Sequence, residues 1–330
     1  MVTGSSLRMY LRQKTSNQTI LTEFLLQGFS DIRELQILHF VVFLVMYLTA
    51  LIGNLLILIA VAVDHHLHTP MYFFLGNLSF LDLCYIFVTV RKSMANSLTN
   101  DRHISFSGCV AQVFLVVTFV ISEMTLLVIM AYYRYVAICH PLHHRVIMNT
   151  DTCAQMAASS WIGSAIYAAF HTGNTFRLSF CQSNAIGQFF CYIPQLLKIS
   201  CAGTHPNETL LLACVIFLCF ICFGLVIVSY THIFSTVLMI PSAQGKSKSF
   251  STYLPHMIVV DLFLSTRMFT YMKPNSGSST CYNLLAAVLY TVFPPAMNSL
   301  IYSLRNKEIK EALRKRGDMK KRLFLITLGN

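Results

Sequence analysis

Residues 130–144 read MAYYRYVAICHPLHH, and they close an apolar run that begins near residue 109. Three tyrosines surround one arginine, Arg134, where the run gives way to a histidine-rich polar stretch. A run of this length suits the roughly 20 apolar residues that a helix needs to cross a bilayer core. A lone arginine at a helix end is most simply an anchor that reaches headgroups with its charged tip. Whether the run is a membrane span depends on what surrounds it.

The composition answers that. Of 330 residues, 55% are apolar and only 11% are charged, 25 are phenylalanine, and the mean hydropathy is +0.61. Soluble surfaces need about a quarter of residues charged. The net charge of +11 raises nucleic acid as a partner. Nine of the 24 lysines and arginines, however, lie between Arg305 and Arg322, beside an apolar span. Basic residues so placed orient the span or touch anionic lipid, so membrane lipid is the expected partner and nucleic acid is not. The first 36 residues are polar and contain no cleavable signal peptide; the first apolar run is too long for one and reads as an uncleaved anchor.

Working outward from 109–133, the chain offers seven candidate spans: 38–63, 71–92, 109–133, 153–173, 208–240, 250–272 and 281–303. The first, third, fourth and fifth are uninterrupted. The second carries Asp82, the sixth His256, Asp261 and Arg267, and the seventh Pro294 and Pro295. The expected fold is an all-α membrane protein, a seven-transmembrane helix bundle. Residues 1–37 are expected to form an extracellular N-terminal segment, 38–303 the seven-helix bundle, and 304–330 a cytoplasmic tail. An outside N-terminus puts Arg134, Arg145, Lys246, Lys248 and the basic tail in the cytoplasm. The sequon NQT at Asn17 agrees, since glycan acceptors face the lumen. NET at Asn207 sits close to a span, and NLS at Asn77 falls inside one and reads as a chance match. In 299–316, Ile301, Leu304, Ile309 and Leu313 alternate with basic residues, so this stretch is expected to form a short amphipathic eighth helix lying on lipid.

Eleven cysteines occur. Cys181, Cys191 and Cys201 lie in the polar loop 174–206, and Cys109 opens the third span on the same face. Four cysteines on an oxidising face imply two disulfides, with three pairings open. No close pair of ligands accompanies them, which disfavours zinc.

Asp82 and Glu123 are acids in mid-span. A charge at the bilayer centre costs at least about 2.5–3.5 kcal/mol on insertion scales, so both are expected to face the bundle interior. Two carboxylates brought together do not both stay ionised unless a cation or a proton joins them. They therefore read as a sodium or proton site, or as acids satisfied by water and hydroxyls such as Ser79, Ser122 and Thr125. Val116, Val117, Val120 and Ile121 form one stripe outward of Glu123, for ligand lining or for helix packing. Arg267 could bind a carboxylate-bearing ligand, reach Asp261 or snorkel outward. Six residues turn a helix by about 240°, which disfavours Asp261 and leaves snorkelling as the expectation. No GxSxG, HExxH or phosphate-binding loop is present, so no enzyme is expected. The histidines at 65, 66, 68, 140, 143 and 144 read as loop filling and not as a metal site.

Five motifs now stand in order: GN at 53–54, LHTPMYFFLGNLSFLD at 67–82, MAYYRYVAICHPLHH at 130–144, FST with His256 at 250–256, and NSLIYSLRNKEIK at 298–310. Together they resemble the odorant receptors of the rhodopsin-like G-protein-coupled class, land-vertebrate type, over nearly the whole chain. The resemblance implies a receptor for a small volatile hydrophobic ligand that activates a stimulatory G protein and raises cyclic AMP, at the plasma membrane of sensory cilia. It implies disulfides Cys109–Cys191 and Cys181–Cys201, no cofactor beyond a sodium ion at Asp82 and Glu123, and a pocket joining the Val116 stripe to Cys214, Leu218, Met268 and Tyr271. It makes Tyr133, Arg134, Tyr230, His256, Asn298 and Tyr302 the activation switch, with Tyr230 and Tyr302 as active-state partners of Arg134. The chain departs from the family pattern at Tyr133, where an Asp precedes the arginine, and at Ser299, which replaces a Pro. Tyr253, Arg91 and Leu264 replace Cys, Pro and Tyr. A receptor-like chain with impaired or constitutive signalling is therefore the alternative. A channel or transporter is the remaining class; such chains often show internal repeats, and none is seen.

Overall fold

The computed structural model describes residues 23–26, 33–99, 102–180, 184–201, 206–239, 241–271, 288–289, 291–305 and 308–315. Among the described residues, seven helices form the bundle: α1 (Arg33–Val63), α2 (Pro70–Thr99), α3 (Phe106–Cys139), α4 (Thr150–Phe176), α5 (Pro206–Leu238), α6 (Ala243–Tyr271) and α7 (Phe293–Arg305). Their ends follow local chemistry. The Ser105 hydroxyl accepts the Gly108 N–H at 3.1 Å to start α3, and Asn149 Oδ1 accepts the Thr152 N–H at 2.7 Å to start α4. Pro294 and Pro295 occupy the first turn of α7, where a missing N–H costs nothing. Much of the seventh expected span, 281–303, lies outside the described residues.

Among the described residues, four helices are long and apolar enough to cross a membrane: Phe40–Val63, Pro70–Arg91, Phe106–Cys139 and Ala213–Leu238. The second span is among them with Asp82 inside it, as expected. One expectation changes. The fourth, read as uninterrupted, does not pass, because Ser160, Ser164, His171, Thr172 and Thr175 line the buried side of α4. That helix crosses as a member of the bundle, with its polar atoms turned to protein.

The bundle is apolar outside and partly polar inside. Ile166, Phe170, Phe217 and Phe220 are all more than 60% exposed, a surface that only lipid tolerates. Asn54, Asp82, Gln112, Glu123 and Asn298 are buried. Helix α3 is central and packs on α2, α4, α5 and α6, while α7 closes onto α1, α2 and α6. Gly53 explains the close approach of α1 to α7: a Cβ there would lie 2.4 Å from Ser299 Oγ and 2.7 Å from its Cβ. Next to it, Asn54 Nδ2 donates to the Pro295 carbonyl at 3.2 Å and clips the two helices together. Gly53→Ala should therefore force the pair apart and lower thermal stability and surface level, at an overpacking cost of about 1–3 kcal/mol. Ser299→Gly in the same chain should restore both. Equal stability of Gly53→Ala and wild type in a purified-receptor melt would refute the contact.

The N-terminal segment supplies something the sequence did not announce. Glu23–Leu26 form a strand, β1, between β2 (His103–Ser105), antiparallel, and β3 (Ala185–Ile186), parallel. Phe24 and Leu26 point into a small second core with Cys109, Val113, Ile186, Cys191 and Leu196. At the opposite end of α3, residues 308–315 form the eighth helix. Tyr72 donates to Glu308 Oε2 at 2.7 Å, and Ile309 is fully buried against the bundle. Ile301 is buried as well, so both residues face protein and not lipid as expected; Lys310, Arg314 and Lys315 are exposed. The Leu304 side chain lies outside the described part.

Candidate ligand and switch sites

At the strand end of α3, Cys109 and Cys191 are disulfide-bonded with Cα atoms 5.6 Å apart. Gln112, one turn further in, donates to the Val88 carbonyl at 2.8 Å and accepts the Cys191 N–H at 2.8 Å. The loop is thus fixed to α2 and α3 by one covalent link and one amide side chain. Cys201 is also disulfide-bonded; Cys181, its expected partner, lies outside the described residues, as does Asn17.

In mid-bundle the structure brings Asp82 of α2, Glu123 of α3 and Asn298 of α7 together. Asn298 Nδ2 donates to Asp82 Oδ2 at 3.2 Å and to Glu123 Oε1 at 3.1 Å, and all three side chains are at most 3% exposed. Of the hydroxyls expected to satisfy the acids, Thr125 is engaged elsewhere, with Ser160 and the Ile121 carbonyl. Sequence reasoning placed Asn298 only in the switch and missed that it bridges the acids. Asn298 Oδ1 and Ser122 Oγ are buried with no hydrogen-bond partner among the described residues. The two carboxylates and the unfilled Asn298 oxygen are oxygen donors, the kind hard cations prefer. Among the described residues no group of three His, Cys, Asp or Glu could hold a metal, so a transition-metal centre is not indicated there.

One level outward is the stripe on α3. Val116 is buried, and Val117, Val120 and Ile121 are half-buried. From α5, Cys219 is the residue that turns in, its thiol 3.7 Å from the Met124 sulfur. Cys214 and Leu218 are exposed, displaced around α5 from the line of Cys219, Cys222 and Val226 that faces the bundle. Met268 and Tyr271 belong to α6, but their side chains lie outside the described part.

Arg267 departs most from expectation. It does not snorkel. Its Nη1 donates to the Tyr85 hydroxyl of α2 at 3.4 Å, and its guanidinium carbon stands 5.5 Å from the Tyr85 ring centre and 5.2 Å from that of Phe263. Two aromatic faces inside the bundle hold the cation in place of water. Asp261, six residues earlier, is exposed on another side of the helix.

At the far end of α3, Arg134 is 5% exposed and lies within the helix, which continues to Cys139; it is not a surface anchor. Tyr230, His256 and Tyr302, the expected switch residues of α5, α6 and α7, are buried as well. The Tyr230 hydroxyl and His256 Nδ1 share a hydrogen bond joining α5 to α6. The Tyr253 and Tyr302 hydroxyls are buried with no hydrogen-bond partner among the described residues. Tyr133 turns away from this group: its ring meets His144 edge-on at 4.9 Å, in the short helix Pro141–Ile147.

Seven membrane helices around a central α3, a disulfide tying α3 to the following loop, and buried polar clusters at two depths define a rhodopsin-like receptor. Squid rhodopsin shares the fold, with a TM-score of 0.67 over 86% of this chain and 85% of that one, at 15% identity. The family model for olfactory receptors matches residues 43–318. Human olfactory receptor 14A16 is 53% identical over 298 residues, which is 90% of this chain and 96% of the relative. Human olfactory receptor 14I1 is 52% identical over 297 residues, again 90% and 96%. The chain belongs to the olfactory receptor family, a family of receptors and not of enzymes.

Proposed function

We propose that this receptor takes a small, volatile, largely hydrophobic molecule between its helices and activates a heterotrimeric G protein of the stimulatory olfactory type. The single observation that carries the reading is the line of buried polar groups from Asp82, Glu123 and Asn298 to Arg134, Tyr230, His256 and Tyr302 inside an apolar bundle. An apolar ligand beside Val116 and Val120 is bound through buried area, with few polar contacts to orient it. Its presence between α3, α5 and α6 changes how those helices pack. That repacking reaches the Tyr230–His256 bond and so the surroundings of Arg134. The Arg134 end, with Lys246 and the basic residues of 308–315, faces the cytoplasm and the G protein; the strands and the disulfide face outside. The receptor works at the plasma membrane of sensory cilia.

The acids fit a sodium ion. Asp82 and Glu123 would hold it, with Asn298 Oδ1 as a neutral donor, and the ion would supply the charge that lets both carboxylates stay ionised. Glu123→Gln should then abolish the sodium sensitivity of the ligand response while leaving surface expression near wild type. An unchanged sodium dependence in Glu123→Gln would rule the site out.

The test of function is a screen of volatile odorants on cells expressing the receptor with the olfactory stimulatory G protein, read as cyclic AMP and normalised to surface staining. At least one apolar odorant should give a saturable, receptor-dependent rise. Surface-expressed receptor with no cyclic AMP response but odorant-evoked ion flux would overturn it in favour of a channel.

A further inference from the structure

Three sulfur-bearing side chains meet where α5 packs on α3. Cys219 and Cys222 stand three residues apart on α5, in the stretch CFIC at 219–222, and neither is in a disulfide. Side chains at that spacing are neighbours on one helix face. Both are half-buried and pack on the core to which Met124 of α3 belongs. The Cys219 thiol lies 3.7 Å from the Met124 thioether. Glu123 and Met124 are adjacent in the chain, but the first meets Asn298 of α7 and the second meets Cys219 of α5. The acid cluster therefore offers hard oxygen donors and the α3–α5 contact soft sulfur donors. A thioether lies outside the sets of His, Cys, Asp and Glu considered for the acid cluster.

We propose that Met124, Cys219 and Cys222 form a binding site for a soft monovalent metal ion, Cu(I), which ties α3 to α5. The inference goes beyond the odorant-receptor reading and does not rest on it. Two sulfurs each bonded to one ion at about 2.3 Å, near the tetrahedral angle, stand about 3.8 Å apart. Cys219 and Met124 are already at that spacing, so an ion between them needs little rearrangement. The Cβ atoms of residues three apart on a helix are about 5–6 Å from each other, close enough for the thiols of Cys219 and Cys222 to reach one ion. Thiolate and thioether ligands select Cu(I), whereas ions that prefer carboxylate or imidazole find no such donor among these three residues. Each thiol gives up its proton to solvent when the ion binds, so the affinity rises with pH. The competing assignment makes both cysteines small apolar packing residues and the sulfur contact an ordinary one.

The experiment uses the purified full-length receptor under anaerobic reducing conditions. Cu(I) is presented as its complex with a coloured chelator, so that the loss of colour reports the ion taken by the receptor. Thermal melts are recorded with and without the ion. Wild type should take Cu(I) from the chelator and melt at a higher temperature with it bound. Cys219→Ala and Cys222→Ala should each weaken binding about a hundredfold or more, since even an outer-shell partner is worth ten- to a hundredfold. Met124→Leu keeps the volume and the packing, so it answers even where a cysteine variant folds poorly; it should weaken binding about tenfold. Cys214→Ala, on the exposed side of α5, should bind as wild type does. No uptake by wild type overturns the site. So does full binding by Cys219→Ala or by Met124→Leu, and so does Zn(II) binding as tight as that of Cu(I). Neither readout needs an odorant or a G protein, so failure here leaves the signalling reading standing, and a silent odorant screen leaves this site standing.

Discussion

Asn298→Leu is expected to cut the amount of folded receptor at the surface by about tenfold or more. Asn298 is the one described donor to both Asp82 and Glu123, at 3.2 and 3.1 Å, and it joins α7 to α2 and α3. Leucine keeps the volume and removes the amide. Two buried acids then lose their hydrogen bonds, and each buried acceptor left unmade costs about 1–3 kcal/mol, more when charged. Every 1.4 kcal/mol is a factor of ten, so the loss is large even if water or sodium recovers part of it. The energetic coupling is the more specific result. In a chain already carrying Asp82→Asn and Glu123→Gln, the same Asn298→Leu change should cost far less, because no carboxylate remains to be stranded. Flow cytometry of surface receptor and thermal melts of purified protein measure both. Strictly additive losses would mean that Asn298 serves α7 alone.

The second large effect concerns signalling without ligand. In similar receptors an Asp before the arginine holds it by a charge-assisted contact at rest. Tyr133 offers a neutral hydroxyl, and its ring is turned to His144. Arg134 therefore meets the resting state with no carboxylate from its own helix neighbour, and it is buried, as are Tyr230 and Tyr302. Removing an interaction special to the resting state shifts the population toward the active one. Tyr133→Asp should lower basal cyclic AMP per surface receptor several-fold, and Tyr133→Phe should leave it near wild type. Equal basal values for wild type and Tyr133→Asp would show that Tyr133 does not loosen the switch. A ligand response that appears only in Tyr133→Asp would favour the impaired-receptor alternative.

The fold was legible because hydropathy and the placement of rare charges both follow from the bilayer. A charge in a span must face protein, which is why the sequence alone places Asp82 and Glu123 in the bundle interior. Which group would meet them was not legible: Asn298 is 175 residues from Glu123, and nothing local marks it as a bridge. Gly53 and Asn54 were visible as a motif, but their physical use, the approach to Ser299 and Pro295, needs α7 in place. β1 was overlooked because 23–26 is short and sits in a polar segment; the alternation of buried Phe24 and Leu26 was the available signal. Arg267 was misjudged because snorkelling is decided by which way a side chain turns, and periodicity fixes the side of a helix without fixing what the neighbours offer. Tyr85 and Phe263 offer aromatic faces, and the cation follows them inward. The same limit applies to Cys214 and Leu218, where one position along α5 changes a bundle-facing residue into an exposed one.

The most direct measurement of the central claim uses purified receptor in lipid with purified stimulatory olfactory G protein, read as nucleotide exchange on the G protein. With an odorant identified in the cell screen, exchange should accelerate in a saturable way, and Arg134→Ala should abolish the acceleration while leaving ligand-induced thermal stabilisation in place. Ligand binding without any acceleration by wild type, or full acceleration by Arg134→Ala, would contradict the account.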